Sequence, residues 1–336
     1  MLRAHLLGRP RDLPTQLREV GDPLAGDDLH LALHLCYGLH YDGFDGVDES
    51  WEWEPSLLGL RATLEAPFLQ ALIEEADLSG SGPSRDLPVE GIVEQVRHLL
   101  DASAGPSLSS FMVQQGGSFE LREFVIHRSI YQRKEADPHT WAIPRLRGAA
   151  KAALVTLQTE EYGGGQPGAT HAELFAHTME ALDLDPSPGA YIDQVPGVTL
   201  ATDNLVSLLG LHRRWRGALV GHLAAFEMTS VVPMGRYAQA VRRILDDDRA
   251  AEFYDVHVEA DVRHEVVAVD DLITGLAATD AVALRDVPFG VAALTTVEAR
   301  LAGWLLQCWS SGTTSLLEED GTLYGRRDTP RRLLSA

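Results

Sequence analysis

The chain has 336 residues, 45% of them hydrophobic, and 28 lysines and arginines against 49 aspartates and glutamates, a formal net charge of −21. This is ample apolar material for a core, and the negative charge excludes phosphate backbones and anionic membrane surfaces as natural partners. Only Cys36 and Cys308 are present, which excludes a disulfide framework and suits a reducing cytoplasm.

The opening MLRAHLLGRPRD meets arginine and proline before any hydrophobic region, so no signal peptide is expected. No apolar run reaches the roughly 20 residues of a membrane span. DDLHLALHLCYGLHY starts with an acidic first turn and continues apolar at helical spacing, and EPSLLGLRATLEAPFLQALIEEA reads as one or two further helices. DLSGSGPSRDLPVEG is a loop by composition, IVEQVRHLLDAS a short helix, and AGPSLSSFMVQQGG a second loop. SFELREFVIHRSIYQRKEA and RLRGAAKAALVTLQTEEY are helices separated by Asp137-Pro138 and Pro144, and EYGGGQPGAT is a turn leading into THAELFAHTMEALDLD. NLVSLLGLHRRWRGALVGHLAAFEMTS is long and apolar on most sides, hence a central helix. YAQAVRRILDDD, AAEFYDVHVEADVRHEVVAVDDLITGL and FGVAALTTVEARLAGWLLQCW complete an all-α set without alternating β runs or internal repeats.

The stretch HVEADVRH, residues 257–264, places His257, Asp261 and His264 at i, i+4 and i+7, within an arc of roughly 60° on a helix. One face therefore carries two imidazoles and a carboxylate, either as a solvated stripe or as part of a metal site. Other helices offer further ligands. Glu135 closes the helix ending YQRKEA, Glu161 the helix ending LQTEEY, and His171 opens the next; Glu160 rivals Glu161. Glu227 stands in the apolar segment LVGHLAAFEMTS, where an unpaired carboxylate is costly. Two divalent ions carry +4 and four carboxylates −4, so a dinuclear site is close to neutral where a single ion leaves buried negative charge. Carboxylate and imidazole ligation without thiolate suits iron or manganese, with zinc as an option.

The pattern resembles the haem-oxygenase-like di-iron oxidases and oxygenases. That family orders a Glu, then a Glu and a His, then another Glu, and finally His-x3-Asp-x2-His; here the last motif reads HVEADVRH without departure. Glu227 stands 30 residues before His257, Glu161 ten before His171, and Glu135 26 before Glu161, where some members place a seventh ligand. The resemblance covers roughly residues 115–310. It implies a haem-oxygenase-like helical bundle over residues 111–312, an N-terminal helical extension over 1–110 and a C-terminal tail over 313–336. It also implies two Fe(II) ions (Mn or Zn as options), O2 as co-substrate, and a small amine, amino acid or fatty-acid-like substrate that is N-oxygenated, cleaved or decarboxylated. An external electron donor and a homodimer are compatible with it.

Arg216 lies three turns before Glu227 near the same stripe, with Arg213 beside it, so both are candidates for holding a substrate carboxylate. His30 and His34 read as ordinary amphipathic-helix residues, and His222 faces away from Glu227. GGGQPG lacks the Gly-Lys-Ser/Thr of a phosphate loop, and Val-Val-Ala after His264-Glu265 excludes a zinc-protease HExxH. A ferritin-like di-iron protein is a rival, although it wants two Glu-x-x-His motifs and the chain offers only Asp261-x-x-His264. A metal-free small-molecule-binding helical protein is the other. Without metal, four crowded carboxylates must protonate or separate, and the Val- and Ala-rich segment 255–268 is expected to unwind.

Overall fold

The computed structural model describes residues 2–14, 21–78, 87–102, 105 and 107–317. Helices dominate and no strand occurs among these residues. The principal ones are α1 (Asp27–Gly38), α2 (Pro55–Leu78), α3 (Val89–Ala102), α4 (Leu108–Gln114), α5 (Ser118–Gln132) and α6 (Gly148–Glu161). They are followed by α7 (His171–Glu180), α8 (Gly197–Leu211), α9 (Arg216–Thr229), α10 (Val231–Leu245), α11 (Glu252–Val266) and α12 (Val287–Ser310). The fold is an all-α bundle.

Apolar side chains gather in two buried groups. One joins α8, α9 and α12 to α1, α2 and α3 through residues such as Leu33, Leu72, Leu205, Leu219 and Phe289. The N-terminal helices thus share a core with the later helices. The other group joins α5, α7, α10 and α11 around Phe124, Phe175, Tyr237 and Phe253.

α9 and α12 meet backbone to backbone. A Cβ on Gly221 would lie 2.0 Å from the Val287 carbonyl oxygen, so a larger residue there pushes the helices apart. The same helix α9 carries Glu227, which is buried.

Three boundaries depart from the sequence reading. The expected loop 104–117 contains α4, whose Ser107 cap accepts from the Ser110 amide. The expected single helix 204–230 is two, α8 and α9, broken at residues 212–215, where His212 turns out to meet Glu65 at 2.9 Å. Beyond α11 the helix continues as a π-helical stretch, Val267–Ile273, before Thr274–Thr279 returns to α geometry.

The expected C-terminal tail is also tied down at its start. Glu123, buried on α5, accepts from the Trp309 indole at 2.8 Å, the Ser315 amide at 2.9 Å and the Thr314 and Ser315 hydroxyls. Residues 313–317 are therefore part of the packed body, and 318–336 lie outside the described residues. By length and hydropathy residues 281–310 could cross a membrane, contrary to the expectation that no stretch could. In this fold they include the core helix α12, packed on α2, α3, α8 and α9.

Candidate metal centre

α5 stops at Gln132, and a tight turn rather than a helix end carries Glu135 inward, leaving its side chain only 14% exposed. Gln158 donates to the Ala136 carbonyl at 2.7 Å and Lys134 pairs with buried Asp203 at 3.0 Å, fixing the turn on both sides of Glu135. α6 ends on Glu161. Gly163 then turns the chain with φ of +61°, where a Cβ would meet the Ala169 carbonyl carbon at 2.4 Å, so only glycine fits. Thr170 caps α7 in a reciprocal box with Glu173, which sets His171 at the first helical position. The His171 Nδ1 then lies 2.8 Å from Glu161 Oε2. α9 supplies Glu227, and one face of α11 supplies His257, Asp261 and His264, all buried.

These side chains converge as two donor groups. Glu135, Glu161, His171 and His257 form one, and Glu161, Glu227 and His264 the other, each with donor atoms within 4.8 Å of one another. Glu161 belongs to both. Asp261 Oδ1 stands 3.3 Å from His264 Nδ1, beside the second group. The site also holds buried donor atoms with no hydrogen bond: Glu135 Oε2, Glu161 Oε2, His171 Nδ1 and Asp261 Oδ1. The Glu161 and His171 atoms are close but not in hydrogen-bonding geometry, an arrangement that suits two lone pairs facing a shared cation. Oxygen and nitrogen donors of this kind fit iron.

The imidazoles are oriented from behind. His257 Nδ1 donates to the Phe253 carbonyl at 2.7 Å, which leaves Nε2 bare toward Glu135, 3.6 Å away. His264 Nε2 donates to Glu160 at 3.1 Å, so its Nδ1 faces Glu227 and Asp261. The rivalry between adjacent glutamates thus resolves: Glu161 enters the site and Glu160 sits behind His264, bridged to Arg263. Replacing Glu160 by glutamine should lower metal affinity at the second group by about 10- to 100-fold, leaving the first intact. Titration with ferrous iron checks this, and unchanged affinity removes Glu160 from that role.

Without metal the charges compensate by proton placement. Burial, together with Glu161, Asp261 and Glu227, drives the Glu135 carboxyl well above its usual range. Burial also raises Glu227, to about 7, against a hydrogen bond from His264. Burial opposes charge on Glu161 too, but His171, His257 and His264 outweigh it and hold that carboxyl down near 2. Burial lowers His264, yet the neighbouring Asp261 and Glu227 carboxylates prevail and raise it to about 10.

A small pocket touches Glu135, Glu161, Glu227, His257 and Asp261. Tyr131, Phe226, Ser230 and Met234 line it and also a second cavity of about 310 Å³ that reaches Glu135. The sequence reading missed Tyr131 and His139 at the pocket wall, although each stands four residues from Glu135. His222, buried, pairs with His139 at 3.1 Å. His30 and His34 are buried structural groups, bonded to Asn204 and Asp203 respectively.

Arg216 and Arg213 line neither space. Arg216 is the first residue of α9 and pairs with Asp280 at 2.7 Å, while Arg213 is exposed in the preceding turn. Eleven residues of helix put Arg216 about 16 Å along the axis from Glu227, a distance that angular position alone conceals. As substrate-binding candidates both are corrected.

A family model described as iron-containing redox enzyme matches residues 122–299, a span containing all seven candidate ligands and just over half of the 336 residues. No curated protein matches the chain. The protein belongs to the iron-containing redox enzyme family and is an iron-dependent oxidoreductase of haem-oxygenase-like fold.

Proposed function

We propose that the protein is an O2-activating, non-haem di-iron oxidoreductase acting on a small organic molecule. The observation that carries this reading is the pair of donor groups sharing Glu161. Glu135, Glu161, His171 and His257 would hold one iron, and Glu161, Glu227, Asp261 and His264 the other. Two ferrous ions would supply the electrons and Lewis acidity that O2 chemistry needs.

The chain's own part is orientation and exclusion. Ser230 donates to Asp261 and fixes that carboxylate, as Phe253 and Glu160 fix the imidazoles. Tyr131 and Phe226 stack with ring centroids 5.8 Å apart between pocket and cavity, limiting water at the ligands. A reducing compartment such as the cytoplasm suits a ferrous centre and two buried thiols outside any disulfide. The substrate would occupy the 310 Å³ cavity, with an external reductant completing turnover. A ferritin-like reading lacks its second Glu-x-x-His, and a metal-free binder leaves four converging carboxylates without purpose.

Anaerobic loading with ferrous iron is expected to saturate near two ions per chain, and the loaded protein to consume O2 when air is admitted. His257→Ala should reduce the stoichiometry clearly. Saturation at one ion, or unchanged loading in that variant, would sink the di-iron assignment.

A further inference from the structure

The 310 Å³ cavity has room for about ten waters at ~30 Å³ each, hence an organic molecule of roughly ten heavy atoms. One face of α5 forms a long wall of it. Phe124 and Tyr131 both line the cavity and stand seven residues apart, about 700° of helix or roughly 20° short of two turns, so they share that face. Along the helix axis about 10.5 Å separates them.

The two levels have different surroundings. Tyr237 stacks on Phe124 with ring centroids 4.6 Å apart, and the charges acting on its phenol are Arg128 and Glu298. Those two are joined to each other by two hydrogen bonds, at 2.8 and 2.7 Å. Tyr131 stacks instead on Phe226, and the charges acting most strongly on it are Glu135, Glu161 and Glu227. Tyr131 also lines the metal pocket, and Tyr237 does not. The cavity therefore runs along α5, with one end at the donor groups and the other about two helical turns away.

Each level carries a phenol without a partner. Neither the Tyr131 nor the Tyr237 hydroxyl is hydrogen-bonded among the described residues, and neither is fully enclosed, whereas the Tyr254 hydroxyl and Gln132 Oε1 are sealed within the wall. Burial is the largest influence on both phenols and raises them, so both stay protonated and are able to donate as well as accept. The aliphatic hydroxyls of the wall are engaged. Ser107 and Ser109 bond each other, Thr229 and Thr295 bond backbone carbonyls of their own helices, and Ser230 bonds Asp261. Much of the remaining wall is apolar, with Met234 and Leu294 among it.

We infer that the cavity takes an elongated molecule of about ten heavy atoms with an apolar middle and a hydrogen-bonding group at each end. Tyr131 binds one end beside the donor groups, and Tyr237 binds the other beside Arg128 and Glu298. The two phenols together determine specificity for length and for a second polar end. The inference deepens the substrate assignment of the proposed oxidoreductase and rests on it only for the meaning of the donor groups.

Calorimetric titration of the full chain, metal-free and anaerobically iron-loaded, with octane-1,8-diol and octan-1-ol tests it. A buried hydroxyl without a partner is costly, so an unmatched second end would weaken the diol at least about tenfold against octan-1-ol. The diol should instead bind at least as tightly. Tyr131→Phe and Tyr237→Phe should each weaken the diol about tenfold, with iron stoichiometry unchanged. Octan-1-ol is able to turn its one hydroxyl to the remaining phenol, so each single variant should cost it less than about threefold and the double variant about tenfold. A diol bound tenfold or more weakly than octan-1-ol, no binding of either, or equal losses of both ligands in the single variants overturns the inference. Two-ended recognition without iron uptake would refute the di-iron reading alone; two irons per chain with a weakly bound diol would refute this one alone.

Discussion

Glu161→Ala should empty both iron positions together, taking saturation from near two ions per chain to well under one. Glu135, His171 and His257 belong to one donor group, Glu227 and His264 to the other, and Glu161 to both. The physical requirement is severe. Two unit charges 4 Å apart interact by about 4 kcal/mol at an effective dielectric of 20, so two divalent ions repel by roughly 16. A carboxylate shared by the two groups would offset much of that repulsion, and alanine would remove it together with a ligand for each ion. His171→Ala touches only the first group and should leave about one iron. Anaerobic ferrous titration with metal analysis compares the two variants, with Glu160→Gln as the neighbour that retains both positions and weakens only the second. Two tightly held irons in Glu161→Ala would mean that the groups are independent sites.

What the sequence could reveal of this centre depended on how local each contact was. HVEADVRH was legible because i, i+4 and i+7 share a helical face whatever surrounds them, and α11 places all three residues inward. Glu135 was harder, since a position just past a helix end can turn either way; distant Gln158 and Asp203 decide its direction. Glu160 and Glu161 could not be separated by spacing, and the structure uses both, Glu160 on His264 Nε2 and Glu161 in the two donor groups. Arg216 misled because angle was weighed without axial rise. The loop expected at 104–117 hid α4 because glycine, serine and proline at its ends outweighed the apolar Leu108, Phe111 and Met112 between them. The chain of contacts from Lys134 through Asp203 to His34 joins α1 to the turn carrying Glu135. His34 and Asp203 are 169 residues apart, so no local pattern announces them.

The metal-free protein should lose stability as pH rises, and iron should abolish that loss. Crowded carboxylates must protonate or separate, and separation would unwind the helix bearing HVEADVRH. α11 runs continuously from Glu252 to Val266, and burial and neighbouring charge raise Glu135, Glu227 and His264, so these are the groups on which protons would sit in metal-free protein. The signs follow. A carboxyl raised in the folded state favours folding most when protonated, so the Glu227 contribution declines as pH rises from about 4.5 toward 7. Glu135, raised further, continues the decline. His264, raised to about 10, contributes fully below its ordinary 6.5 and loses that contribution as pH climbs through 10. Glu161, lowered to about 2, opposes these only on the acid side, where its contribution is lost as pH falls. One to two units of net coupling amount to about 1.4–2.7 kcal/mol, or roughly 3–10 °C in Tm. The weakening should concentrate in α11, whose Val262 and Val266 are 60% and 55% exposed and anchor little, and which runs directly into the π-helical stretch. Amide exchange across residues 255–268 should therefore be slow near pH 5.5 and fast near pH 9 without metal, and slow at both with ferrous iron. Iron takes the place of the protons, and its binding strengthens as the ligands deprotonate. Metal-free protein equally protected at both values would mean that the carboxylates are accommodated without protons and that the site is preformed.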